Sequence, residues 1–279
     1  MDEKKLASLL VKTGDMALKR RARIIVEELA IKEGEKILDC GCGDGFYLQL
    51  ISRLNKTCTL FGLDFNEQGL ARARANLGEF KALLTLGDIA SLPFRDNSFD
   101  KIILSEILEH LPNDFQALKE VKRILKKGGV LLITVPNHNY PFLWDPINKT
   151  LEFLFKKHIQ SGFWAGLWNM HLRLYFPGEL KELVRKAGLK MVKVKELTHY
   201  CLPFNHFFLN AMARLLYRGT LPASITQDIN KFALGRKQEN LFVKGIYRLV
   251  NGIDRLNNKT FLNKSTVCIF LRAEKKYEK

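Results

Sequence analysis

The chain has 279 residues, 47% of them hydrophobic and 27% charged, with a formal net charge of +16; it is long and apolar enough to bury one large core or two modest ones, which makes it globular. Five cysteines, an odd number without framework spacing, exclude a disulfide scaffold and suit a reducing compartment. No run reaches 18 uninterrupted apolar residues, which excludes a membrane span, and the start MDEKKLASLL lacks the basic and apolar stretches of a secretory signal, so the expected location is the cytoplasm.

Residues 6–36 have helical spacing and group Lys19, Arg20, Arg21 and Arg23 ahead of an apolar IIVEEL. We expect residues 1–35 to form a helical cap at the edge of a sheet. Lys36 to Cys40 then reads as a buried strand that runs into Gly41, Gly43 and Gly45, three glycines at alternate positions where the chain can turn with no Cβ between backbone and ligand. Helical spacing resumes at Phe46, so the free N–H groups of a helix start would point at whatever the turn holds. TLFGLD from Thr59 is a second strand; its last residue, Asp64, lies 25 positions after Asp39, near the spacing at which an acidic residue grips ribose hydroxyls in dinucleotide folds. A third strand, Ala82 to Asp88, also ends in aspartate, and a fourth, from Phe99, ends at Ser105 and Glu106. In an open parallel sheet these tips share one crevice, although each alone also reads as a helix N-cap or turn residue.

The acidic tip of the second strand disfavours a phosphorylated ribose, and Asp44 inside the G-x-G-x-G turn disfavours a pyrophosphate. Cys40 and Cys42 flank Gly41 without a second cysteine or histidine pair at zinc spacing, so they read as small buried turn residues and no metal is expected.

With DCGCGDG, LDFNEQGLARAR, GDIASLPFRDNSFD, LSEILEHLPN and LKEVKRILKKGGVLLITVPN in that order, the chain resembles the class I S-adenosylmethionine-dependent methyltransferases, within them the branch of ubiquinone and menaquinone biosynthesis enzymes. The resemblance runs from about Ile37 to Asn137 and more weakly through HLRLYFPGELKELVRKAGL. It implies a Rossmann-like, doubly wound α/β sheet of about seven strands with helices on both faces. It also implies that Asp39 and the backbone of Gly41, Cys42 and Gly43 hold the methionine part of S-adenosylmethionine, and that Asp64 takes the ribose hydroxyls. Phe65 would flank the adenine, Asp88 would receive its exocyclic amine, Ile89 would offer a backbone contact and Ser105 would line the methionine side. Residues 36–137 are then the cofactor-binding half.

After a fifth strand, Gly129 to Val135, an aromatic insertion over 138–176 carries Phe142, Trp144, Phe153, Phe155, Phe163, Trp164 and Trp168. These rings read either as an apolar substrate wall or as the packing of an extra helical subdomain. Pro177 to Gly188 reads as a helix, LKMVKVKEL as a sixth strand and STVCIFLRAEK, near Ser265, as the seventh, so that 177–197 and 265–279 complete the sheet. Between them lies a second insertion, 198–264, with ten Lys or Arg against three Asp or Glu. On a helical wheel Lys237, Lys244, Arg248, Arg255 and Lys259 share a sector of roughly 60°, opposite Phe242, Val243, Ile246, Leu249, Val250 and Ile253. That division fits an anionic membrane surface through 237–259, and equally a helix packed on its own sheet.

Methyl transfer needs an acceptor held in line with the S–CH₃ bond and, for a hydroxyl acceptor, a base. His138, His110 and His171 are the candidates, His138 first by position, and each also reads as a structural histidine. The expected activity is methyl transfer to a hydrophobic small molecule or lipid precursor, with the acceptor atom and oligomeric state left open. A nucleic-acid or protein methyltransferase is the alternative, disfavoured for nucleic acid because the aromatics do not alternate with basic residues. A third reading is an NAD-dependent oxidoreductase or a non-catalytic nucleotide-binding module on the same fold.

Overall fold

The computed structural model describes residues 2–11, 13–54, 57–202, 240–258 and 265–276, together with 204, 207, 211, 214, 215, 229–232 and 234. Seven strands form one sheet: β1 Lys36–Cys40, β2 Thr59–Asp64, β3 Leu83–Leu86, β4 Phe99–Ser105, β5 Leu125–Pro136, β6 Lys190–Leu197 and β7 Cys268–Glu274. Their order is β3-β2-β1-β4-β5-β7-β6, with β7 antiparallel to both neighbours and the others parallel. Strand order reverses between β1 and β4, so a crevice opens at their carboxyl ends. This is the doubly wound sheet expected from the sequence, and β1, β2 and the helix start at Phe46 fall on the expected residues.

Each face of the sheet buries its own apolar layer. On one face α1 (Glu3–Leu10), α2 (Met16–Leu29), α3 (Phe46–Leu54) and α4 (Glu67–Leu77) cover Ile37, Leu60, Ile103, Leu132 and Phe270. On the other, α5 (Asp114–Ile124) and α7 (Pro177–Lys186) cover Leu38, Ile102, Leu104, Leu131, Ile133 and Leu271. Alternate residues of each strand thus enter opposite layers, which is why the strands read as unbroken apolar runs. Polar side chains close the helix starts: Asp15 accepts from the amides of Ala17 and Leu18, Asn66 from Gly69 and Asn113 from Gln116. The N-terminal segment forms two helices, and α2 packs across the face of β5, β7 and the edge strand β6. Its C-terminal end is held by the buried ammonium of Lys101, which reaches the carbonyls of Leu29 and Ala30 and the Glu35 carboxylate.

Within the first insertion α6 (Pro146–Phe155) is capped by Asp145. Trp144 and Trp168 are buried with Tyr140, Leu174 and Val267 in a third, small core. Phe142, Phe153, Phe155 and Trp164 instead face solvent. The aromatic run is therefore divided between packing and surface.

From the second insertion the structure describes α8 (Leu241–Leu256), while Lys237, Lys259 and the Phe242 side chain lie outside the described residues. The helix packs on α2, but not through the centre of its apolar sector. Val243, Tyr247, Val250 and Asp254 are buried, whereas Leu249 is 60% exposed. An ion cluster sets that rotation: Lys19 and Arg20 of α2 hold the Asp254 carboxylate, and Arg20 also reaches the carbonyl of Asn257. Lys244, Arg248 and Arg255 remain exposed. Among the described residues no helix is long and apolar enough to cross a membrane.

Candidate active site

The turn after β1 is stitched to β2: the amides of Gly41 and Cys42 both donate to the Leu63 carbonyl, at 2.7 and 2.9 Å. Asp64 completes the link by accepting from Gly43 N–H through Oδ2 at 2.7 Å and from Asn66 N–H through Oδ1 at 2.9 Å. Gly41, Gly43 and Gly45 all have positive φ. A Cβ on Gly41 would stand 2.2 Å from Ile107 Cδ1, so only glycine lets the residues after β4 close over the turn. A Cβ on Gly43 would meet nothing within 4 Å, because that position borders open space.

Asp39 and Asp64 are both buried, and Oδ2 of Asp39 has no hydrogen-bond partner. Burial first, and then the neighbouring carboxylates of Asp64 and Asp44, push the Asp39 carboxyl up to about 8. Asp44 is itself paired with Lys231 at 2.8 Å. Along the rim, Phe65 is 82% exposed, Ile89 is buried, and Asp88 caps its own turn by accepting from Ala90 N–H. Ser105 stands between the hydroxyls of Tyr47 and Thr134, at 3.0 and 2.8 Å. The predicted cofactor residues Asp39, Gly41, Cys42, Gly43, Asp64, Phe65, Asp88, Ile89 and Ser105 thus all lie on the loop side of β1 to β4. Tyr47, Thr134 and Arg21 join them without having been singled out.

The three candidate histidines separate into two places. His138 follows β5, and its Nε2 lies 3.1 Å from Glu152 Oε1, with its ring 4.4 Å from that of Phe176. Burial lowers its pKa below the ordinary imidazole value, a shift that Glu152 opposes. Neighbouring His158 stacks on Trp168 at 3.6 Å. His110 and His171 instead meet each other, ring centroids 4.7 Å apart, beside the wholly buried Glu109. Glu106, the residue before Ile107, has a φ of 56° that puts a non-glycine residue in the left-handed region, and its carboxylate is paired with Arg21 at 2.8 Å. The signals for these acids were their positions in LSEILEHL, acidic residues set among apolar ones. Two surface depressions, of about 490 Å³ beside Arg173 and Glu179 and about 390 Å³ beside Ile147 and Phe204, lie apart from the glycine turn.

Residues 38–133 match the model of a methyltransferase domain. The chain is 30% identical over 186 residues to demethylmenaquinone methyltransferases of Staphylococcus aureus, covering 62% of this chain and 76% of the relative. Its fold is similar to a Bacillus halodurans structure described as a putative methyltransferase, at a TM-score of 0.57 and 18% identity, covering 92% of this chain and 99% of that one. It is similar also to Haemonchus contortus phosphoethanolamine N-methyltransferase 2, solved in complex with S-adenosyl-L-methionine, at a TM-score of 0.56 and 18% identity, with 92% of this chain and 53% of that one covered.

The raised Asp39 pKa has a signed consequence. The folded chain holds a proton there that the unfolded chain has released, so this stability is present at low pH and is lost as pH rises through about 8. Stability of the native chain relative to Asp39→Asn should fall by about 1 kcal/mol per pH unit from about pH 5 to 8. Urea unfolding at a series of pH values measures it, and a flat difference would mean that Asp39 ionises like a surface carboxyl.

Proposed function

The chain belongs to the class I S-adenosylmethionine-dependent methyltransferases, and from that premise we propose that its acceptor is a hydrophobic, quinone-like small molecule or lipid precursor. The cofactor, when bound, supplies a methyl group already activated on a sulfonium. What remains for the protein is to hold, align and dehydrate the reactants. In this reading Asp39 receives the ammonium of the methionine moiety beside the backbone of Gly41, Cys42 and Gly43, and Ser105 lines the same end. Asp64 takes the ribose hydroxyls, Phe65 covers the adenine, Asp88 meets its amine and Ile89 offers a backbone contact. The observation that carries it is the unpartnered oxygen of the buried Asp39 in β1, four residues ahead of Gly43, whose Cβ position is open; a cationic ligand group would satisfy that oxygen.

For a hydroxyl acceptor we assign the base to His138. Its neutral form prevails at pH 7 because burial lowers its pKa, and Glu152 holds one ring nitrogen so that the other can accept the proton. Exposed Phe176, Met170 and Leu172 supply an apolar border for the acceptor. The quinone-like class follows the substrate in the relatives' name. Membrane association belongs to the same proposal: α8 turns Leu241, Leu249 and Leu256 outward beside exposed Lys244, Arg248 and Arg255. A chain of net charge +16 with that face suits an anionic lipid surface.

Calorimetry with S-adenosylhomocysteine should show one site, weakened by about 1.5 to 3 kcal/mol in Asp64→Ala; unchanged affinity removes Asp64 from the site. When the chain is incubated with methyl-labelled cofactor and a whole-cell extract, the label should enter the organic phase. Label recovered in RNA or protein would reverse the choice of acceptor. Cosedimentation with anionic vesicles should be lost when Lys244, Arg248 and Arg255 are all replaced by glutamate, at unchanged cofactor affinity; persistence would exclude α8 as the contact.

A further inference from the structure

Glu109 is wholly buried in the 3₁₀ turn Leu108–His110, and neither of its carboxylate oxygens has a hydrogen-bond partner. A buried carboxyl without donors is costly to ionise unless a cation completes it. The guanidinium of Arg21, whose charge acts on Glu109, is engaged by Glu106. What Glu109 does face is a pair of imidazoles: donor atoms of Glu109, His110 and His171 all lie within 4.8 Å of one another.

The surroundings fix these groups in place. His110 Nδ1 lies 3.0 Å from the Met170 carbonyl; donation of its proton there leaves the lone pair on Nε2, the arrangement by which a backbone carbonyl orients a ligating histidine. The segment bearing His171 is tied to the same turn, since Leu172 N–H donates to the Glu109 carbonyl at 2.9 Å and the Tyr175 hydroxyl donates to the Leu108 carbonyl. Arg173 and Tyr175 both bind Asp114 at 2.7 Å, which anchors the segment to α5. Ile107, which packs over Gly41, joins this turn to the proposed cofactor site.

We propose that Glu109, His110 and His171 form a binding site for one divalent transition-metal ion of the zinc type. Two imidazoles and one carboxylate suit zinc, iron or manganese better than calcium, and three protein ligands leave a coordination position open. Ligand distances of about 2.0 to 2.2 Å require the donors to draw closer on binding, a small rotation of side chains that already face one another. The open position suits an oxygen-bearing acceptor. That use rests on the methyltransferase reading above, whereas binding of the ion does not.

Zinc calorimetry and cobalt(II) absorption on the full chain after chelator treatment test the site. We expect one ion per chain, visible bands of nitrogen- and oxygen-ligated cobalt, and an affinity about a hundredfold lower in Glu109→Gln and in His171→Ala. Binding of S-adenosylhomocysteine should be unchanged in both variants; its failure in the unsubstituted chain would sink the cofactor reading and leave the ion result standing. Absence of zinc binding, equal affinity in the variants, or thiolate-to-cobalt charge transfer would overturn the proposal. The unsubstituted chain gives an independent readout: zinc should displace the imidazole NMR signals of two of the six histidines. Movement of none, or of all alike, would overturn it too.

Discussion

The site depends on one stitch, the paired amides of Gly41 and Cys42 on the carbonyl of Leu63. It draws the turn after β1 against the end of β2, and so forces two buried carboxylates, Asp39 and Asp64, to share one small volume. Burial first, and then their mutual repulsion, raises the Asp39 pKa, so that in the proposed reading the fold holds a protonated acid where the cationic end of the cofactor would sit. Nothing larger than glycine is tolerated at position 41 of the stitch, because Ile107 occupies the space a Cβ would need there. Behind it Gly62 is equally confined: a Cβ there would fall within 3 Å of Leu48, Leu84 and Cys42. The tightness of β2 against α3 and the shape of the turn therefore have a common cause.

What could be read from the residues follows the range of the interactions. The common side of the strand ends from Asp39 to Ser105, the proposed cofactor rim, was legible because its parts are local: each strand tip precedes its own turn. The fifth strand starts at Leu125 and not Gly129 because Leu125 already pairs with Phe99 of β4, and KKGG is the irregular step before the register resumes at Val130 and Lys101, a step that composition alone marks as a turn. Helix α6 was hidden in an aromatic run, since Phe153, Leu154 and Phe155 are apolar in succession and all three stand exposed, so its apolar side does not mark a buried face. The rotation of α8 was hidden for a different reason. Its apolar wheel gives a centre of burial, but Asp254 in the grip of Lys19 and Arg20 moves that centre toward Val243 and Tyr247.

The histidines show the same limit. His110 and His171 stand 61 positions apart, and they meet because the isolated bridge of Asn137 with Tyr175 and the Leu172 to Glu109 bond lay one segment across another. His138 sits on the far side of that bridge, where Lys149 donates to its carbonyl and Glu152 holds its ring. No spacing rule distinguishes the two environments, since both histidines follow a strand by a few residues. The difference lies in the helix that arrives opposite: α6 brings a carboxylate to one, and the 170–175 segment brings a second imidazole to the other.

The charge of the chain and the charge of its crevice have opposite signs, and the contrast bears on order of events. A net charge of +16 sets up a field that gathers anions over the surface. Inside the crevice the acidic group left to set a local field of the other sign is the buried Asp64, since Asp39 keeps its proton up to about pH 8 and Asp44 is paired with Lys231, and burial shields that field from salt. In the proposed reading the cationic cofactor is thus held by short-range contacts against an unfavourable long-range field, while an anionic lipid surface is drawn by the long-range field alone. Salt should then act unequally, weakening surface association well before it weakens the crevice, because only exposed charges lie in the screening medium. α2 stands between the two regimes: Arg21 reaches the Glu106 end of the crevice, and Lys19 and Arg20 carry the outer helix. A displacement of α8 would be felt first where Asp254 meets Lys19 and Arg20, two residues and one residue along α2 from Arg21, which is paired with Glu106.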